Sequence, residues 1–135
     1  MKNFILFILL SVLFSSNGMA QSENKEIIIG CWEVRQVIFT KKFKGPEDAA
    51  MEAMGATVCF DKQGKFLNKN GETTIKGSYS LSENGRTIYQ NSDDESASEI
   101  GVKNEDVPGE IIMLSQTELQ VEAEGLILYF RRSEQ

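Results

Sequence analysis

The run from Thr73 to Leu81 constrains this chain more than any other stretch. Thr73, Ile75, Gly77, Tyr79 and Leu81 alternate with Thr74, Lys76, Ser78 and Ser80. A period of two fits a β-strand with one covered face and does not fit a helix. Turn residues stand on both sides, Asn70-Gly71 before it and Glu83-Asn84-Gly85 after it, so the strand belongs to a succession of hairpins. The same grammar extends both ways. Val58 and Phe60 precede the turn Asp61-Lys62-Gln63-Gly64, a strand returns over 65–69, and Arg86 to Gln90 forms the strand after the later turn. Gly77, inside the alternation, predicts a bend of the kind a barrel needs at a corner.

Upstream, residues 27–40 are rich in β-branched and aromatic types and read as a long first strand. Trp32, Val34 and Ile38 share one face with Gln36 as its polar member, and Glu33 and Arg35 take the other. Val37 and Phe39 break the alternation, which predicts a bulge or a second covered face near the strand's end. Gly30 admits close neighbours, and Trp32 can plug the end of a small barrel. Past the basic stretch 41–44, Pro46 at a first helical position, Glu47 and Asp48 in the first turn and Gly55 beyond the end mark a short helix through Met54. Ala50, Met51 and Met54 form its apolar side, with Met51 and Met54 expected to point inward over one barrel opening. That helix is either a plug on the core or a lid whose flexible methionines adapt to a ligand.

Downstream, 91–98 is a polar, acidic surface loop, 100–103 a weak strand and 104–109 a loop around Pro108. Ile111–Leu114, Glu118–Val121 and Leu126–Phe130 are three strands with short connections at 115–117 and 123–125. The fold class is all-β: about eight to ten short antiparallel strands, with one short helix after the first, closing into an up-and-down barrel rather than a two-layer sandwich. A chain of 135 residues with 41% apolar content suits one such domain, spanning 27–135 after a polar, frayed tail at 21–26.

Residues 1–20 have the marks of a signal peptide: Lys2, an apolar run from Phe4 to Phe14, and the small residues Gly18 and Ala20. The apolar run is short of the roughly 20 residues that span a bilayer, so no transmembrane segment is expected after processing. The expected localisation is secreted or periplasmic. Removing Lys2 takes the 14 basic residues to 13 against 20 acidic ones, and the formal charge from −6 to −7. That balance disfavours nucleic acid and anionic membranes as partners. Ile28-Ile29-Gly30-Cys31 has the residue types of a lipoprotein cleavage box, but Glu23, Lys25 and Glu26 separate it from the apolar run, which argues against lipidation of Cys31.

The opening Gly30-Cys31-Trp32 after a signal peptide, the meander of hairpins, and Arg131-Arg132 ending the last strand resemble the lipocalin-like barrels of the calycin group, above all the short versions in bacterial secreted proteins. The resemblance spans roughly residues 27–132. It implies that Trp32 sits at the closed end of the barrel and that Arg131 or Arg132 packs across it, a cation on an indole face. The chain departs from the group in having no Thr-Asp-Xaa-Tyr-like motif in its later strands.

Histidine is absent from the sequence, which removes Ser-His and Cys-His nucleophile pairs and His-ligated zinc or haem. The carboxylates fall mostly in turns or on outward faces. Asn91, Asp93 and Glu95 offer alternate oxygens but lack the glycine and distant glutamate of a calcium loop, so neither a metal site nor a cofactor is expected. Arg35 and Arg86 are candidate anchors for an anionic head group and fit equally well as exposed strand residues. The preferred expectation is a non-enzymatic binding module for a small, largely apolar molecule, lined by Trp32, Val34, Met51, Met54, Phe60, Ile75 and Tyr79. The alternative is an exported interaction or inhibitor module with a solid barrel core, whose partner is another envelope protein.

The two cysteines are expected to stay apart. Both Cys31 and Cys59 face outward, but a hairpin that sets Thr40 opposite Ala56 places Cys59 across from Val37. Cys31 then lies six residues further along, or about 20 Å at 3.3 Å per residue, beyond the roughly 7 Å a disulfide spans. Exported material should begin at or near Gln21, and N-terminal sequencing checks this; a lipid-modified Cys31 as first residue would overturn both the leader and the first strand.

Overall fold

Eight antiparallel strands, each hydrogen-bonded to its sequence neighbour and the last to the first, form a closed up-and-down barrel. The computed structural model describes residues 23–93 and 107–133. The leader at 1–20, the start at Gln21, most of the acidic loop at 91–98 and the weak strand at 100–103 lie outside the described residues. The elements are a helical turn α1 over 23–27, β1 (Gly30–Phe39), α2 (Glu47–Met51), β2 (Thr57–Phe60), β3 (Lys65–Asn70), β4 (Thr73–Leu81), β5 (Thr87–Ser92), β6 (Val107–Leu114), β7 (Glu118–Ala123) and β8 (Leu126–Arg132). Short antiparallel strands with charged outer faces leave unpaired edges unless the sheet closes, and closure removes the edges altogether.

The hairpin grammar places most of these strands. In the 61–64 turn the Asp61 carboxylate accepts hydrogen bonds from the Gln63 and Lys65 amides, each at 2.9 Å, an Asx device that fixes the β2–β3 register. At Gly77 the expected bend is a site of close approach: a Cβ there would collide with the Asn91 carbonyl of β5 and the Phe66 ring of β3. The inward residues of β4, Ile75, Tyr79 and Leu81, pack against the core.

Several expectations are corrected. The tail expected over 21–26 is helical from residue 23, because it has something to dock on: Asn24 Nδ2 donates to the Gly85 carbonyl at 3.1 Å and Ile28 is fully buried. In β1 the bulge falls at Arg35, between Val34 and Gln36 on the β8 side, rather than near the strand's end. The extra residue inverts the alternation after it, so Val37 is buried at 9% exposure while Ile38, expected inside, is exposed at 39%. Asn91 and Ser92, expected in a loop, end β5, and Pro108 and Gly109, expected in another, open β6, where they pair with Tyr89 and Ile88. Proline is tolerated there because it stands at a strand's first residues.

The largest correction concerns register. Cys31 and Cys59 stand directly opposite each other, with Cα atoms 4.0 Å apart, and form a disulfide. The connection after β1 is not a hairpin folded back from Thr40. It passes through α2, and the Val34 amide donates to the Ala56 carbonyl while the Gly55 amide donates to the Val34 carbonyl, both at 2.9 Å. Ala56 therefore meets Val34, six residues short of Thr40, and β2 pairs only with Gly30 to Glu33 of β1, whereas β8 pairs along its other edge from Trp32 to Phe39. A disulfide also excludes lipid attachment at Cys31.

Closing a loop of this length, a sequence separation of 28, removes unfolded-state entropy worth about 3.6 kcal/mol. Alkylation of the monomer read by intact mass should find both cysteines protected until reductant is added. The Cys31→Ser, Cys59→Ser pair should lower stability by about 2–4 kcal/mol.

Candidate functional site

The two ends of the barrel differ, and the difference starts at the sequence Gly30-Cys31-Trp32. Gly30 has φ of +130°, a conformation open to glycine, and a Cβ at this position would strike the Arg132 guanidinium. That guanidinium reaches past it: Nη1 donates to the Ile29 carbonyl at 2.9 Å, Nη2 to Ile27 at 2.6 Å and Nε to Gln116 at 2.5 Å. Its carbon lies 4.2 Å from the centre of the Trp32 ring system. Trp32 is fully buried, and its indole N–H donates to the Ile28 carbonyl at 3.0 Å. Arg132 performs this role because it stands opposite Trp32 on the inward face, whereas Arg131 stands opposite Glu33 on the outward one. Trp32, Ile28, Leu119 and the α1 turn thereby close one end.

The other end is open and holds a cavity of about 420 Å³. Its walls come from β1, β2, β7 and β8 through Val34, Val58, Leu119, Val121, Leu128 and Phe130, with Phe60, Ile75 and Ile88 completing the apolar lining. Polar groups gather toward the mouth: Asn68 and Asn70 on β3, Thr73 on β4, Gln90 on β5 and Glu52 after α2. Asn70 Nδ2 donates to the Glu52 carbonyl at 3.0 Å, which ties the α2 segment to the β3–β4 hairpin across the rim. Thr40 Oγ1 donates to the Gly125 carbonyl at 2.6 Å and holds the outgoing chain against the β7–β8 turn.

Of the residues singled out from the sequence, Val34, Phe60 and Ile75 line this cavity. Trp32 lies at the sealed end instead. Tyr79 supports the lining from behind: its ring packs on Phe60 with centroids 4.7 Å apart, and its hydroxyl donates to the Asp61 carbonyl at 2.6 Å. Burial, and next the Asp61 carboxylate, push the Tyr79 phenol above its ordinary value, so it remains a donor. Met51 and Met54, expected inward, are exposed at 45% and 41%. The backbone bonds of Gly55 and Ala56 to Val34 fix the rotation of the α2 segment, and that rotation presents Glu52 and the small Ala53 to the cavity instead. Neither Arg35 nor Arg86 reaches the cavity; Arg35 projects from the bulge toward Glu33 at 3.9 Å, and Arg86 is exposed beside the 83–85 turn.

Sequence reasoning missed the polar lining. Alternation carried the signal, since Asn68 shares a face with Phe66 and Gln90 shares one with Ile88. Polar residues on an inward face are anomalous unless the interior is hollow at that level.

A closed eight-stranded up-and-down barrel, sealed by an Arg-on-Trp pair at one end and hollow at the other, is lipocalin-like. Solved structures agree on the fold. A lipocalin-like protein from Bacteroides uniformis ATCC 8492 aligns with a TM-score of 0.56 at 22% identity, over 79% of this chain and 99% of that one. An uncharacterized protein from Bacteroides eggerthii DSM 20697 aligns at 0.54 and 14% identity, over 78% and 98%. A DUF4847 family protein from Bacteroides vulgatus ATCC 8482 aligns at 0.54 and 15% identity, over 81% and 96%. No protein-family model matches the sequence, and no curated protein matches it.

Removing the seal should be costly. Trp32→Ala is expected to lose about 3–5 kcal/mol, the range for a large core aromatic. Arg132→Ala leaves three carbonyls without their charged donor and should lose about 2–4 kcal/mol. Denaturant unfolding measures both, and Trp32 emission, blue-shifted in the native protein, should move to the red in Arg132→Ala.

Proposed function

We propose that this protein is an extracytoplasmic binding module that holds one small, largely apolar molecule in its barrel, and that it is not an enzyme. The observation that carries the reading is the cavity of about 420 Å³ behind an open mouth, with apolar walls and a sealed far end. Sites for small molecules are commonly concave, apolar and about 300–1,000 Å³ in volume, with a few polar groups that orient the ligand. The Cys31–Cys59 disulfide suits an oxidising compartment and agrees with the leader read from residues 1–20.

The lack of histidine and the lining's single ionisable side chain among the described residues, Glu52, support binding without catalysis. The acidic balance of the chain supports a neutral or cationic partner over nucleic acid. An interaction module with a packed interior is the weaker reading, because the interior is hollow from Val34 to the rim.

The test is titration with N-phenyl-1-naphthylamine, a neutral dye that brightens in apolar surroundings, beside native mass spectrometry of the purified protein for retained lipid. One saturable site is expected. Ile75→Trp, which fills the cavity, should weaken dye binding about tenfold or more, equivalent to roughly 1.4 kcal/mol, while the protein stays folded. Met51→Ser with Met54→Ser should leave binding within about twofold, since these side chains face away. A wild-type protein that takes up no dye overturns the reading.

A further inference from the structure

The polar part of the cavity carries information about the ligand's head group. Among the described residues, three carboxamides and one carboxylate line the mouth, and no lysine or arginine does. The side chains of Asn68 and Gln90 face the cavity and hydrogen-bond to no other described residue, so their carbonyl oxygens and amide groups are available to a guest. Asn70 Nδ2 donates to the Glu52 backbone carbonyl, which sets residue 52 at the rim, where it is exposed and borders the cavity. Near this end Lys41, Lys42 and Lys44 follow β1 on the chain that passes the β7–β8 turn, and Lys69 stands between Asn68 and Asn70 on the outward face of β3; none of them lines the cavity. Arg132, the one guanidinium inside the barrel's alternation, is engaged at the sealed end.

We propose that the ligand is an amphiphile with a cationic, hydrogen-bond-donating head, an ammonium rather than a carboxylate, seated with its chain against the apolar walls and its head among Glu52, Asn68 and Gln90. This rests on the binding reading above and deepens it. An ammonium has donors only, and it meets two carboxamide oxygens and a carboxylate here. A fatty-acid head would arrive at a mouth with no countercharge and one like charge, where the adjacent low-dielectric walls enlarge the repulsion.

The experiment is competition of decylamine, decanol and decanoate against bound N-phenyl-1-naphthylamine, for the wild-type protein and for Glu52→Gln. Decylamine should displace the dye at about five- to tenfold lower concentration than decanoate, with decanol between them, and the gap should narrow in high salt. Glu52→Gln should bring the amine and carboxylate within about twofold of each other. A preference that survives Glu52→Gln unchanged reflects only the overall negative charge and overturns the assignment of the head-group site. Equal or stronger binding of decanoate to the wild type overturns the charge selection while leaving a hollow, ligand-binding barrel. Failure of the dye itself to bind overturns both readings at once.

Discussion

The structure depends on the contact between Arg132 and Trp32. An eight-stranded barrel is just wide enough inside for side chains to fill it or for one small guest, so at least one end must be sealed against water if a core is to persist. Here the seal is an indole buried below a guanidinium, 4.2 Å away, whose three nitrogens satisfy three backbone carbonyls of the entering chain and the 115–117 turn. One side chain therefore joins the last strand to the α1 segment, to the turn between β6 and β7 and to the core. It does so only because residue 30 is glycine and β1 begins at positive φ.

With one end sealed, the other is free to be hollow. The side chains nearest Trp32 are large and fully buried, as Ile28 and Leu119 are, whereas the level of Asn68, Ile75 and Gln90 is left unfilled. The disulfide stands on the outside of the β1–β2 pair, where the pairing is short: β2 sets only four residues against β1 once the 40–56 connection has passed over the mouth. Covalent linkage at that point keeps the barrel closed where few hydrogen bonds hold it, and the α2 segment is anchored at the same place through Val34.

Polarity inside the barrel is graded along its axis. The floor is apolar and aromatic, the rim is amide-bearing, and the one carboxylate of the described lining comes from the segment that crosses the mouth. In the binding mode proposed above, a gradient of this kind would orient an amphiphile without enclosing its head, which would leave the head partly solvated and the charge selection modest. It also explains why the methionines that looked suited to a lid have no part in the lining: a helix of five residues offers one short face, and close packing on the barrel favours Ala53 there over a longer side chain.

Read in isolation, the sequence determined the all-β class, a count of about eight to ten strands where the barrel has eight, and most of the hairpin turns, because these are local matters of alternation and turn chemistry; the place of Trp32 at the closed end came from the resemblance to lipocalin-like barrels. The sequence set Val34, Phe60 and Ile75 on inward faces, where they line the cavity, for the same reason: strands of period two with a strong apolar face have little freedom of orientation. Three things were decided only by tertiary structure. The bulge at Arg35 is set by how β1 meets β8, and it turned Ile38 outward. The β1–β2 register is set by where a seventeen-residue connection, 40–56, lands on β1, and its return to Val34 rather than Thr40 brought Cys31 and Cys59 together. The rotation of the α2 segment follows from that landing, and it put Glu52 and Ala53 where methionines were expected. Each depends on contacts between residues distant in sequence, and a one-residue change in any of them exchanges the inside of a strand for its outside.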